Sequence, residues 1–178
     1  MSLRRKRIPI PNQIKVNLTD NEILIEGKEG KSKLIIPNLV SLKIEDNLIL
    51  VDPTDKNSKK SKSLAGFVCK EILNKFVGVE KQVEYRMTLV GVGYKAQVKG
   101  NSLELSLGYS HPHILSIPTS LTVSIEKNTE VVIKGIEKSE VGLFAAKMRQ
   151  LRMPEPYKGK GVLYKGEKII LKPGKSGK

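Results

Sequence analysis

The chain has 178 residues, 39% of them hydrophobic, which suffices for one ordinary domain or two small ones with a real core. Lys and Arg total 32 against 18 Asp and Glu, a formal charge of +14, and the excess is localised: 10 basic and 2 acidic residues fall between Lys147 and Lys178, leaving 22 and 16 for everything before. Such a footprint points to a polyanion, whereas the longest apolar runs, such as Leu34–Ile36 and Leu48–Val51, are strand-sized and exclude a bilayer-spanning helix.

Other compositional features narrow the class. The single cysteine, Cys69, excludes an internal disulfide framework and fits a reducing compartment. The opening MSLRRKRIPIPNQI is basic but lacks an apolar core and a cleavage-like sequence, so no export signal is expected. A membrane surface would require an amphipathic basic helix or a lipidation signal, and neither is legible. Lysines number 26 and arginines 6, with Ile and Asn frequent, which suggests an AT-rich bacterial or organellar genome.

In chain order, period-2 alternation predicts strands over Glu22–Gly27, Lys31–Ile36, Leu42–Glu45 and Leu48–Val51, with a tight turn at Asp46-Asn47. A polar loop, Asp52–Lys62, leads into a helix whose Ala65, Val68, Cys69, Ile72, Leu73 and Phe76 recur at helical spacing. A boundary is expected near Val79–Gln82. Beyond it, strands are predicted at Tyr85–Val90, Tyr94–Lys99, Ser102–Leu107, Ile114–Ile117, Leu121–Glu126 and Glu130–Lys134, with turns at Gly100-Asn101 and Asn128. A second helix follows, carrying Val141, Phe144, Ala145 and Met148, with Leu151 just beyond.

The two halves repeat one another at an offset of about 80 residues. NEILIEG (Asn21–Gly27) aligns with NSLELSLG (Asn101–Gly108), Ile36-Pro37 with Ile117-Pro118, and Glu45 with Glu126. The expected class is therefore α+β: two duplicated small domains, each an antiparallel sheet packed with one helix, rather than a doubly wound α/β fold. The boundaries drawn are 1–80, 81–153 and an extended basic tail over 154–178.

That tail contains PEPYKGKGVLYKGE (Pro154–Glu167). Its prolines forbid a regular helix, Gly159, Gly161 and Gly166 let the backbone approach a partner, and the run is expected to lie outside any core. Lys158, Lys160, Lys165 and Lys168 supply charge there, and Tyr157 and Tyr164 offer flat faces for stacking on exposed bases. By this reading, truncation after Arg149 should leave a folded two-domain core. A solvated basic tail without a partner is the plainer alternative.

Chemistry is hard to find elsewhere. Gly91-Val92-Gly93-Tyr94-Lys95-Ala96 has dinucleotide-fingerprint spacing and follows a strand, but a strand rather than a helix is predicted after it, so the glycines read as a bend or bulge. Gly174-Lys175-Ser176 resembles a phosphate loop, yet the position of that motif's first glycine is Ile169. His111 and His113 lack the further ligands a zinc site needs, and Cys69 sits on an apolar helix stripe, most simply as a core residue, with no second-half histidine obviously aimed at it. No catalytic carboxylate pair can be nominated. The reading is a binding protein with no cofactor, metal or small-molecule substrate, and not an enzyme.

Three segments carry a resemblance. LVGVGYKAQVKGNSLELSLGYSHP (Leu89–Pro112), KSEVGLFAAKMRQLR (Lys138–Arg152) and PEPYKGKGV (Pro154–Val162) resemble the bacterial-type L-six family of large-subunit ribosomal proteins. The resemblance implies a structural, rRNA-binding constituent of the large subunit that supports translation, in bacterial cytoplasm or plastid stroma. It further implies a place near the factor-binding stalk base and the sarcin-ricin loop, beside neighbouring ribosomal proteins and docking translational GTPases. Carried onto this chain, the implied RNA contacts are Gly91, Gly93, Tyr94, Lys95, Ser110, His111, Arg149, Arg152, Pro154, Glu155, Tyr157, Lys158, Lys160 and Lys165. Tyr94 and Tyr157 are the expected stacking residues. A non-ribosomal RNA- or DNA-binding protein is the alternative.

Overall fold

A computed structural model describes residues 6–174. The chain divides into two compact units, Met1–Gln82 and Val83–Lys178. In the first unit, β1 (Lys6–Pro9), β5 (Val40–Glu45) and β6 (Leu48–Pro53) form an antiparallel sheet in the order β1-β6-β5. A second sheet has the order β2-β3-β4, from Lys15–Leu18, Glu22–Gly27 and Gly30–Ile35. Alternation points Ile23 and Ile25 inward, where both are fully buried. The strands β5 and β6 meet in a two-residue hairpin in which Asp46 and Asn47 have φ of 46° and 62°, the left-handed pair that a right-twisted hairpin needs. Asn47 is pinned there, its backbone oxygen accepting from Ile10 N at 3.0 Å and its side-chain amide donating to Ile10 O at 3.1 Å.

Helix α1 (Lys59–Glu80) closes the unit with Ala65, Val68, Cys69, Ile72, Phe76 and Val79 on its buried face. Leu73, expected on this face, is 43% exposed: it lies one residue, hence about 100°, off the stripe through Ala65, Ile72 and Phe76. Lys75 occupies the buried side instead, donating from Nζ to Ser32 Oγ at 2.9 Å. The expected loop is also shorter. Ser58 caps the helix by accepting the Ser61 N–H, so Lys59, Lys60 and Lys62 belong to the first turn of α1.

The second unit repeats this plan. Its elements are β7 (Val83–Val90), β8 (Lys95–Lys99), β9 (Ser102–Ser106), β10 (His113–Ser116), β11 (Leu121–Lys127), β12 (Glu130–Gly135), α2 (Lys138–Leu151) and β13 (Gly161–Tyr164). The sheet β10-β9-β8 mirrors β4-β3-β2, and β11-β12-β7 mirrors β5-β6-β1. The corners repeat to the hydrogen bond. Ile36 N donates to Asn21 O and Val40 N to Pro37 O, while Ile117 N donates to Asn101 O and Leu121 N to Pro118 O, all between 2.8 and 3.0 Å.

Among the described residues, one element has no counterpart in the first unit. Strand β13 adds to the free edge of β7, pairing Val162 with Leu89 and Tyr164 with Met87. The run Pro154–Glu167 is therefore not wholly outside the core as expected. Val162 is fully buried and Leu163 nearly so, and Val162 joins the cluster of Met87, Leu89, Ile133, Phe144 and Met148. The sequence KGKGVLYKG hides this, because two apolar residues between glycines and lysines give no period to read. Gly161 makes the docking possible: with φ of 148°, it brings its Cα so near Met153 and Pro154 that a Cβ would stand 2.6 Å from Pro154 Cα. Expectations that fall on Met1–Arg5 or Lys175–Lys178 lie outside the described residues.

Candidate nucleic-acid interface

Helix α2 ends at Leu151, and the next residue begins the candidate interface. The Arg152 guanidinium lies over the Tyr109 ring, 4.9 Å from its centroid. Tyr109 is itself fixed, its hydroxyl donating to Leu151 O at 3.1 Å and its ring meeting His113 edge-on at 4.9 Å. The side-chain contact with Tyr109, followed by the proximity of Tyr94, raises the Arg152 pKa above the ordinary arginine value, so the cation is permanent. Ser110 and His111 sit exposed in the same turn as Tyr109.

The Gly91–Gly93 turn follows β7 and leads into strand β8, not a helix, so the dinucleotide reading lacks the N-terminal amides it needs. Gly91 has a packing role, since a Cβ there would lie 2.8 Å from the Tyr94 ring. Gly93 has φ of 76° with open space around it. Between them Val92 is 93% exposed. Tyr94 departs from expectation: it is only 6% exposed, packed between Gly91 and Gly108 within the core cluster. A ring so enclosed cannot stack on a base; its contribution is to set the turn that presents Val92, Gly93 and the exposed Lys95.

The segment after Arg152 is a hydrogen-bonded loop. Glu155 N donates to Lys160 O at 2.8 Å, Gly159 N to Glu155 O at 3.0 Å, and Val162 N to Arg152 O at 2.9 Å. Lys172 N donates to Pro156 O at 2.8 Å, so the trailing chain folds back on the loop. Pro154 is half-buried against Gly161, whereas Glu155 and Lys158 are exposed and Lys160 is half-buried. Tyr157 is 54% exposed and can stack as expected.

Two expected contacts are placed differently. Arg149 Nη2 lies 2.7 Å from Glu167 Oε1, with its guanidinium over Tyr164, 5.4 Å from the centroid. Lys165 Nζ lies 3.5 Å from Glu130 Oε2. Both cations are thus matched by carboxylates of the second unit itself. The structure brings Gly91, Tyr94, Arg152 and the Tyr109–His111 turn together, and it pairs Arg149 and Lys165 each with a separate carboxylate, Glu167 and Glu130. Sequence reasoning missed Tyr109 as the platform under Arg152; an aromatic between Gly108 and Ser110 in a turn was the available signal.

Among the described residues no group of three or more His, Cys, Asp or Glu side chains is placed to hold a metal ion, and Cys69 is buried on α1. The family model for Ribosomal protein L6 matches residues 90–165, the span that contains the turn, α2, the loop and β13. The protein named large ribosomal subunit protein uL6 in Dictyoglomus turgidum is 46% identical over 176 residues, covering 98% of this chain and 97% of the relative. Its namesake in Geobacter sulfurreducens is 44% identical, and that of Natranaerobius thermophilus 39%, each over 175 residues with the same coverage.

The chain belongs to the uL6 family.

The uL6 family is one of structural ribosomal proteins, not enzymes, which accords with a candidate site built from cations, glycine turns and the exposed rings of Tyr109 and Tyr157. It also accounts for the duplication at full length: the relatives match over both units, although the family model covers only part of the second.

Proposed function

We propose that this chain is a structural constituent of the large ribosomal subunit that binds large-subunit rRNA through the Arg152 end of its second unit. The observation that carries the reading is the Pro154–Lys160 loop, which presents Tyr157 and Lys158 beside the Arg152–Tyr109 pair. Lys95, Lys158, Lys160 and Arg152 neutralise phosphates, backbone amides at Gly91 and Gly93 approach the RNA closely, and Ser110 and His111 add hydrogen bonds. Pro154 and Glu155 shape the loop, and Tyr157 stacks on an unpaired base or sugar. Recognition is of folded RNA shape. Arg149 and Lys165 are held by carboxylates and contribute less directly.

Its place is near the base of the factor-binding stalk and the sarcin-ricin loop, with neighbouring large-subunit proteins and docked translational GTPases close by. The bacterial origin of the relatives named above favours a bacterial ribosome over a plastid one. The test is binding of the full chain to transcribed large-subunit rRNA across a salt series. Log affinity should fall against log salt with a slope of about −0.7 to −0.9 per phosphate contacted, and Lys158→Ala with Lys160→Ala should reduce that slope by about 1 to 2 while leaving the fold intact. Affinity indifferent to salt, or a double variant that binds like the parent, would refute the phosphate account.

A further inference from the structure

Glu167 is one of only two acidic residues after Lys147, in the segment that should face phosphates. A carboxylate there repels RNA unless it has other work. Its two oxygens are both engaged: Oε1 accepts from Arg149 Nη2 at 2.7 Å and Oε2 from Tyr164 N at 3.1 Å. Glu167 N donates in turn to Tyr164 O at 3.0 Å. The Tyr164 ring lies under Arg149 and meets Tyr85 edge-on at 6.1 Å, so the arginine is packed as well as paired. With side chains 33% and 25% exposed, the pair is screened less than a fully solvated one.

The pairing also closes a ring. Arg149 and Glu167 are 18 residues apart, and the chain between them holds Arg152, the Pro154–Lys160 loop and β13. We propose that Glu167 and Arg149 form a clasp that holds this loop in its RNA-binding conformation, so that an acidic residue in the basic end raises affinity for RNA. Glu167 is then a positioning residue, and Arg149 acts through it rather than on phosphate. This rests on the rRNA-binding reading above. It inverts the simple expectation, since Glu167→Gln raises the formal charge from +14 by one unit and should strengthen RNA binding if charge alone decided.

The experiment uses the full chain as parent, Glu167→Gln, Arg149→Gln and the double variant, each bound to transcribed large-subunit rRNA over a salt series. Hydrogen exchange of the free proteins is read at the Glu155, Gly159 and Val162 amides, whose acceptors lie within the loop and at its base. The clasp predicts that each single variant binds about three- to tenfold more weakly with an unchanged salt slope, and that the double variant is no weaker than either. It predicts faster exchange at those three amides with the Ile133 amide unaffected. Arg149→Lys, which keeps the cation, serves if a Gln variant unfolds, and should fall between parent and Arg149→Gln. Tighter binding by Glu167→Gln with a steeper slope would overturn the proposal, showing that Glu167 merely masks Arg149. Unchanged exchange, or additive losses in the double variant, would overturn it too. If the parent itself does not bind the rRNA, the functional reading fails while the exchange data still decide the clasp.

Discussion

Gly161→Ala tests whether the close approach of β13 to the end of α2 holds the second unit together. The new Cβ would stand 2.6 Å from Pro154 Cα and 2.8 Å from Met153 O, backbone atoms that cannot swing aside. The φ of 148° adds strain for any residue with a side chain. The conformational strain is worth about 1–3 kcal/mol and the overlap about 1–3 kcal/mol more, giving about 4 kcal/mol in all. For a unit of this size that lowers Tm by about 15–25 °C. Gly166→Ala is the control: φ is 82° but nothing lies within 4 Å, so only the strain applies and Tm falls by about 4–15 °C. All five tyrosines belong to the second unit and the chain has no Trp, so near-UV circular dichroism from tyrosine follows that unit alone. Equal melting of the two variants would refute the argument from close approach.

Gly142→Ala should stabilise the second unit by about 0.5–1 kcal/mol in urea unfolding, because the residue lies inside α2 and the added methyl meets only Tyr85 at an ordinary 3.5 Å. Truncation after Arg149 should destabilise that unit rather than leave it intact, since it removes β13 and the burial of Val162, worth about 1.5–3 kcal/mol for the side chain alone; a parent-like tyrosine transition would contradict this. Glu84 has its pKa lowered, first by its hydrogen bond with Arg86 and also by Lys134, while desolvation opposes them. A depressed folded pKa stabilises above the ordinary value near 4.5 and loses that contribution as pH falls through the lower folded value, so Glu84→Gln should flatten the fall of Tm in acid.

Where side chains alternate, the fold is legible in the residues themselves. Glu22–Gly27 and Ser102–Ser106 each bury one face, and period-2 patterning with an Asp46-Asn47 turn is what such strands and hairpins require. Short edge strands are not legible: β1 (Lys6–Pro9) and β2 (Lys15–Leu18) are only four residues long, and β13 is buried at Gly161, Val162 and Leu163 in succession, so none of them shows a period. The basic end is visible as charge, but its internal ordering is not. Tyr94 and Tyr157 look alike in sequence, each beside glycine or proline and lysine; one packs into a pocket left by Gly91 and Gly108, and the other points out of a loop. Arg149 and Arg152 likewise look alike in sequence and each lies over a tyrosine ring, but tertiary contact brings Arg149 a carboxylate from 18 residues away as well.

The most direct measurement is sucrose-gradient sedimentation of extract from cells expressing the full chain, with the protein detected across the fractions at low salt and again after a high-salt wash. The account predicts recovery with the large subunit at low salt and progressive release as salt rises, earlier for the Lys158→Ala, Lys160→Ala variant than for the parent. Recovery only at the top of the gradient at low salt would contradict it, and would leave a nucleic-acid-binding protein that works apart from the ribosome.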